Sequence, residues 1–233
     1  MKKLIYGILV AVCFSLSGLS AHADEITLIP ADMHTACDGC VGPFDGVFDT
    51  LTGEPAVGVA LWTTYDPPFG MPFEERGAVE FNISGLKNSD VTSANLMLNI
   101  VLFSGYMLPN QPIIQIYGYV GDGTIGLDDM YASNLLYTSP LLSTLGPLPP
   151  IDVTPFIRSM VAEGHPFAGF LVRDIAPQSG VLFNFKDDVP KLPVIATAIP
   201  EPSSLALLVI GLAALSWKLS SKLVRTLGAR PPR

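Results

Sequence analysis

The sequence predicts an all-β protein, a single jelly-roll-like antiparallel β-sandwich that spans residues 24–198. The 21 prolines and 21 glycines are spread along the chain with short apolar runs between them. This spacing is typical of many short strands joined by turns. In one of these runs, Val79, Phe81 and Ile83 alternate with polar residues, a period of two that indicates a strand with one buried face.

Eight segments have the length and composition of strands, and each is bounded by turn-forming residues. They are 25–29, 57–65, 76–84, 93–103, 112–120, 167–173, 180–186 and 192–198.

One short helix is predicted between the fifth and sixth of these strands. Thr154 is suited to the N-cap position and Pro155 to the first helical residue. Gly164 is expected to end the helix. We expect this helix to cap one mouth of the sandwich and to carry no chemistry.

The N-terminus predicts a secretory signal peptide over residues 1–23. Two lysines precede an apolar helical stretch, and Ala21 and Ala23 form a small-residue cleavage site. Signal peptidase would therefore cut after Ala23. Cys13 would leave with the signal peptide.

A separate C-terminal tail is predicted over residues 199–233. Pro200, Glu201 and Pro202 open it, and two prolines within three residues prevent a regular element from continuing through this point. The globular domain is therefore expected to end just before them.

The tail continues as a predicted transmembrane helix. Its apolar run, 205–217, has about 13 residues, whereas a bilayer needs ~20. Lys218 and Lys222 extend the span if their alkyl stems lie along the membrane core. The basic residues that follow predict a cytoplasmic end.

These features of the tail resemble those of PEP-CTERM proteins, which an exosortase processes. The resemblance rests on Pro200, Glu201, Pro202 and Ser203, followed by a Leu/Ala/Gly-rich helix and basic residues. It implies an exosortase-like enzyme as a partner. It also implies an inner-membrane anchor before processing and then a place at the cell surface or in an extracellular matrix of exopolysaccharide.

The exported domain resembles the DNRLRE-type modules, which are β-sandwiches similar to carbohydrate-binding modules. The resemblance rests on the segments 76–84, 91–98, 152–161 and 168–173 and on their order along the chain. It implies the sandwich fold and suggests that the domain binds a glycan.

The charge of the domain excludes nucleic acid as a partner. Residues 24–198 contain 20 acidic and 6 basic side chains, for a net charge of −14. Such a domain is repelled by polyanions unless divalent cations bridge the two.

Cys37 and Cys40 are the two cysteines left after signal-peptide removal, and three interpretations of them stay open. An exported compartment favours a disulfide between them. A zinc site would need His34 as a further ligand and is still one ligand short of four. A redox pair would need a helix after the motif, which Pro43 disfavours.

No metal can be assigned from the sequence, although a structural calcium ion is compatible with the acidity of the domain. Asp122 and Asp129 imitate half of an EF-hand loop, but the earlier ligand positions lack side-chain oxygens. A tight acidic turn after the strand is the favoured interpretation. Other candidate calcium ligands are Asp32, Asp45, Asp49, Asp187 and Asp188.

The candidate ligand surface is a proline-rich loop that contains Trp62, Tyr65, Asp66 and Phe69. Aromatic rings stack on the apolar faces of sugars, and a nearby carboxylate accepts hydroxyl protons. Because the domain is acidic, a neutral polysaccharide is the expected ligand.

Catalysis finds little support, since the sequence lacks the nucleophile-elbow, zinc-protease and phosphate-loop motifs. The sequence therefore predicts a non-enzymatic surface or matrix protein without a cofactor. A purely structural protein without a ligand is the alternative. A secreted carbohydrate-active enzyme is a distant third.

Overall fold

The computed structural model describes residues 23–52, 56–65, 70–87, 89–103, 110–185 and 189–198. These residues lie in one compact unit, His22–Ala198. The unit is mostly β with antiparallel sheets and one α-helix, which confirms the predicted structural class. The predicted signal helix and transmembrane helix lie outside the described residues.

The described residues form fourteen strands. They are β1 (Ala23–Leu28), β2 (Pro30–Asp38), β3 (Thr50–Leu51), β4 (Ala56–Trp62), β5 (Phe73–Asn82), β6 (Ser89–Leu96), β7 (Asn99–Phe103), β8 (Ile114–Gly121), β9 (Asn134–Thr138), β10 (Gly146–Pro147), β11 (Ile151–Asp152), β12 (Phe167–Asp174), β13 (Ser179–Phe185) and β14 (Leu192–Ala198).

The strands form two antiparallel sheets. The smaller sheet has the order β1-β14-β6-β11, and the larger has the order β10-β7-β13-β4-β5-β12-β8-β9. Strand β2 also pairs with β5, and β3 pairs with β2. The jelly-roll-like sandwich stays a prediction.

Both sheets contribute side chains to one hydrophobic core. Phe81 and Phe170 come from the larger sheet, Val91 and Val194 from the smaller, and all four are buried. The rings of Phe81 and Phe170 meet edge to face with centroids 5.9 Å apart. Burying one such side chain contributes about 1.5–3 kcal/mol, so this shared core holds the two sheets in one domain.

The predicted helix is present as α1 (Thr154–Glu163), but its N-cap differs from the prediction. Thr154 is the first helical residue, and Val153 occupies the cap position. The Asp152 carboxylate accepts a hydrogen bond from the Thr154 amide at 2.9 Å and thus caps the N-terminus of the helix. The Thr154 hydroxyl instead accepts the Ala94 amide of β6 at 2.9 Å, which ties the helix to the smaller sheet.

The C-terminus of α1 follows the prediction. Gly164 has φ +79°, a left-handed conformation that favours glycine, and its amide donates to helical carbonyls. The buried face of the helix contains Phe156, Ile157 and Met160. Phe156 meets Phe170 of β12 edge to face at 5.4 Å, so the helix closes over the core as expected.

A second, smaller cluster covers the opposite face of the larger sheet. Ala78 of β5 and Leu171 of β12 pack there against Ile125 and Met130, which belong to the segment after β8. The alternation around Val79 and Phe81 predicted one buried face, with the polar residues between them, such as Glu80, facing solvent. That part of the prediction is wrong, because Glu80 is fully buried on the second face. A period of two shows which residues share a face, but it does not show that a loop covers the second face.

Candidate functional site

The structure joins Cys37 and Cys40 by a disulfide, with their Cα atoms 5.8 Å apart. Cys37 lies near the end of β2, and the chain turns directly after it. The buried Asp38 carboxylate accepts the amides of Asp45 and Gly46 at 3.2 and 2.8 Å. The disulfide and Asp38 therefore stabilise the same loop, as the favoured interpretation of the sequence requires.

The zinc interpretation with His34 is not supported by the arrangement of the side chains. His34 Nδ1 donates to the Thr52 carbonyl at 2.9 Å, and Nε2 lies 3.3 Å from the Asp32 carboxylate. The third potential ligand near the two sulfurs is the half-buried Glu75 rather than His34. Burial raises the pKa of the Glu75 carboxyl, because the charged form loses hydration.

Reduction of the Cys37–Cys40 disulfide is expected to weaken the domain without unfolding it. The closed loop is short, so the unfolded chain regains little freedom and the free energy of unfolding falls by only about 1–2 kcal/mol. Denaturant titrations with and without a thiol reductant measure this difference. The Cys37→Ser/Cys40→Ser double variant is the matched control and should not respond to the reductant. A loss of all cooperative unfolding on reduction would contradict the prediction.

The four predicted ligand residues of the loop have different positions. Trp62 is only 4 % exposed and packs with Ala60 and Phe73, so its ring faces are not offered to a sugar. Tyr65 is 76 % exposed. Asp66 and Phe69 lie outside the described residues. Trp62 is therefore corrected to a packing residue, because its position at the end of β4 places it against β5.

The acidic segment after β8 forms a turn in which carboxylates accept backbone amides. Asp122 accepts the Thr124 amide at 2.9 Å, and Asp129 accepts the Gly126 amide at 2.8 Å. Asp32 of β2 reaches across to the Ile125 amide at 2.9 Å. These oxygens are thus engaged by the protein itself, which agrees with the favoured interpretation of the sequence as an acidic turn.

Glu80 connects this turn to the larger sheet. Its Oε2 accepts the Gly123 amide at 2.6 Å. Burial raises the pKa of Glu80, the Gly123 hydrogen bond opposes that rise, and the Asp129 carboxylate adds to it. Burial also raises the pKa of the neighbouring Tyr119 hydroxyl. A buried carboxylate held in this way fixes the turn to the strand.

On the same face, beyond the acidic turn, two arginines lie side by side. Arg76 of β5 and Arg173 of β12 are paired in register. The buried Glu74 carboxylate lies between them, and its Oε1 is 2.7 Å from Arg76 Nε and 2.8 Å from Arg173 Nε. We call Glu74, Arg76 and Arg173 the arginine pair site. The site contains two positive charges and one negative charge.

A pocket of about 270 Å³ opens beside the arginine pair site. Its walls include Tyr117, Tyr131, Ser133 and Leu171. The Tyr117 hydroxyl donates to Gln115 Oε1 at 2.5 Å, and the Tyr131 hydroxyl accepts the Phe48 amide at 3.0 Å. These hydrogen bonds hold both rings in place. The pocket therefore combines fixed aromatic and apolar walls with a net positive end.

The arginine pair site could not be found from a local motif. Arg76 and Arg173 lie in different predicted strands, and neither is part of a recognisable ligand pattern. Only the pairing of β5 with β12 brings the two guanidinium groups together. The sequence held one hint of this site, because two of the few basic residues of the domain, Arg76 and Arg173, lie in predicted strands.

Comparison with known protein families gives a match for the segment that follows the β domain. Residues 198–220 match the PEP-CTERM protein-sorting motif. The chain therefore carries a PEP-CTERM sorting signal. It begins at Ala198, where β14 ends. The predicted sorting residues Pro200, Glu201 and Pro202 lie within the match but outside the described residues.

The PEP-CTERM signal marks the chain as an exported protein that is processed by an exosortase-like enzyme and associated with a membrane before it reaches the surface. No curated protein gives a significant match to the chain. The resemblance of the β domain to DNRLRE-type modules stays a prediction. In the described part of the chain, no helix has the length and hydrophobicity that a membrane crossing requires.

Proposed function

We propose that this PEP-CTERM chain is a non-enzymatic protein of the cell surface or of an exopolysaccharide matrix, and that its β domain binds polysaccharide. The sorting signal at 198–220 carries the first part of the proposal. Signal peptidase removes residues 1–23, the tail holds the protein in the inner membrane, and the exosortase-like enzyme then releases it.

The oxidised cysteines and the composition of the domain support an extracellular role. Disulfides persist in exported proteins and are rare in reducing compartments. The domain combines the Cys37–Cys40 disulfide with a predominantly antiparallel β structure. We include in the proposal the jelly-roll-like sandwich of DNRLRE-type modules, which the common core of the two sheets supports.

Polysaccharide binding is proposed at Tyr65, an exposed aromatic residue in the described part of the proline-rich loop. With 76 % of its surface exposed, the Tyr65 ring is available to stack on a sugar without disturbing the core. Neutral polysaccharide is the proposed partner of this surface, because the net charge of −14 opposes long-range approach of a polyanion.

The substitution Tyr65→Ala is expected to weaken binding to a neutral polysaccharide and to leave the thermal midpoint unchanged. The wild-type Kd should lie between about 10 μM and 1 mM. Loss of one stacked ring should weaken it by about 1–3 kcal/mol, which is roughly five- to 150-fold. Affinity electrophoresis against a panel of neutral glucans, mannans and galactans, together with calorimetric melting, measures both quantities.

Leu141→Ala is the matched control for Tyr65→Ala, because Leu141 is 59 % exposed and lies outside the loop. It should change neither binding nor the midpoint. If Tyr65→Ala lowers the midpoint by many degrees, the ring belongs to the packed structure and the binding surface is wrong.

A structural matrix protein without a ligand is the second candidate. The observation that favours it is that some carboxylates of the domain are buried and form hydrogen bonds within the fold. Asp38 and Asp174 are fully buried and accept backbone amides, so part of the acidity serves the fold itself. Failure of the protein to retain any glycan would favour this candidate.

A further inference from the structure

We propose that the pocket beside the arginine pair site binds a carboxylated sugar residue of an acidic exopolysaccharide. The inference deepens the proposed polysaccharide binding and rests on it, but it assigns a second site and a different sugar class. The site is distinct from the Tyr65 loop and is built from β5, β12 and the segment that follows β8.

Arg76 forms the fixed part of the site. Its Nε donates to Glu74 Oε1 at 2.7 Å, and its Nη1 donates to the Met130 carbonyl at 2.6 Å. Its guanidinium also lies 4.7 Å from the centre of the Phe48 ring. Three contacts hold this side chain, which is only 14 % exposed, so its charge is oriented before any ligand arrives.

Arg173 forms the accessible part of the site. Its side chain is 37 % exposed, compared with 14 % for Arg76. Within the described residues, the Glu74 carboxylate is its ionic partner, and that carboxylate is shared with Arg76. The terminal nitrogens of Arg173 are thus the positively charged donors best placed to meet a ligand at the pocket.

The charge of the site favours an anion. Like charges that face each other across paired strands are unfavourable, and one Glu74 carboxylate compensates only one of the two guanidinium groups. A ligand carboxylate would compensate the second. Planar guanidinium groups bind carboxylates through two parallel hydrogen bonds, which gives both strength and orientation.

The size and walls of the pocket favour a sugar as the carrier of that carboxylate. A volume of about 270 Å³ falls just below the range of ~300–1,000 Å³ found for sites that enclose drug-sized ligands. A pocket of this volume can therefore hold one sugar ring of a longer polysaccharide. The fixed rings of Tyr117 and Tyr131 provide apolar surface for the sugar ring, the buried Leu171 completes the lining, and the exposed Ser133 lies at the wall.

The net charge of the domain does not prevent this binding at physiological ionic strength. The Debye length there is about 8 Å, so the distant carboxylates of the domain are largely screened at the pocket. The direct contact with Arg173 is short and is screened much less. The net negative charge of the domain therefore repels an acidic polysaccharide at long range when the salt concentration is low. At physiological salt this repulsion is screened, and the short contact with Arg173 can bind the carboxylate.

The test uses the protein extracted from the cell surface, at 0.15 M salt with EDTA present so that calcium cannot bridge the partners. Tetrasaccharides of galacturonate, glucuronate, mannuronate and guluronate are titrated by isothermal calorimetry. The same oligosaccharides with the carboxylates reduced to alcohols are the neutral probes. We expect at least one uronate probe to bind, and its reduced form to bind at least tenfold more weakly.

Arg173→Gln should weaken uronate binding at least tenfold, because a hydrogen bond to a charged group is lost. The uronate affinity of Arg173→Lys should lie between those of Arg173→Gln and the wild type, because lysine keeps the positive charge but lacks the planar guanidinium group. Arg158→Gln is the control, since Arg158 lies on α1 and donates to the Val91 carbonyl of β6. It should not change binding.

Three results would overturn the inference: no binding of any uronate probe, equal binding of the reduced probes, or an unchanged affinity in Arg173→Gln. Binding of the reduced probes alone would leave the proposed polysaccharide binding intact and reject only the acidic site. Binding of neither class, together with failure of the neutral panel, would contradict both proposals.

Discussion

Replacing Glu201 with alanine is expected to leave the C-terminal tail attached to the protein and to hold the protein at the inner membrane. Glu201 is the charged residue between Pro200 and Pro202, and it lies inside the matched sorting signal 198–220. We expect the processing enzyme to recognise the carboxylate together with the two prolines, so loss of the carboxylate should prevent cleavage.

Intact-mass analysis of membrane and surface fractions measures the result. The wild-type surface protein should run from Asp24 to near Pro200, whereas the Glu201→Ala protein should keep residues 205–233 and stay in the membrane fraction. Asp90→Ala, which removes an exposed carboxylate of β6 outside the matched motif, is the control and should be processed. A wild-type surface protein that retains the whole tail would show that the sorting signal is not cleaved.

The alternation of apolar and polar residues made β5 predictable from the sequence, although it did not show that the second face of this strand is also covered. The alternation that identified β5 also placed Val79 and Phe81 in the core. Strand β2 was missed because its second half, up to Asp38, is buried on both faces, so its sequence does not alternate.

The segment 93–103 was predicted as one strand, but the structure divides it. Leu96 ends β6 in the smaller sheet, and Asn99 begins β7 in the larger one. The apolar residues continue through the break because both sheets face the same core. Hydrophobicity alone could not locate the point at which the chain changes sheets.

The sorting signal was predictable because it is a local motif, whereas the arginine pair site depends on pairing between distant strands. Net charge led to the expectation that an acidic ligand would be repelled. A net charge averages over the whole domain, and the register of Arg76 with Arg173 produces a local excess of the opposite sign. The burial of Trp62 also depends on a distant element, because Trp62 packs where β4 pairs with β5, and the sequence does not show that pairing.

The substitution Asp174→Ala is expected to destabilise the domain by about 3–5 kcal/mol, because it leaves buried donors without an acceptor. Asp174 ends β12 and is fully buried. Its Oδ1 accepts the amides of Ile113 and Ala176 at 3.3 and 2.9 Å, and its Oδ2 accepts the Ser179 hydroxyl at 2.6 Å. Each unsatisfied donor costs about 1–3 kcal/mol.

Asp174→Asn is the matched variant, and its free energy of unfolding should fall by less than about 1.5 kcal/mol. Its amide oxygen can still accept both backbone amides. The Ser179 hydroxyl also lies 2.6 Å from the Ala176 carbonyl, so it can donate there and accept from the new amide group. Burial raises the pKa of Asp174, so the ionised form already carries a desolvation cost that the neutral amide avoids.

Thermal melting at neutral pH distinguishes these outcomes. For a domain of this size, a loss of 1 kcal/mol lowers the midpoint by about 2–4 °C, so Asp174→Ala should lose roughly 6–20 °C and Asp174→Asn only a few degrees. Asp90→Ala removes an exposed carboxylate of β6 and should change the midpoint little. Equal losses for the alanine and asparagine variants would show that the negative charge of Asp174, rather than its hydrogen bonds, stabilises this corner of the fold.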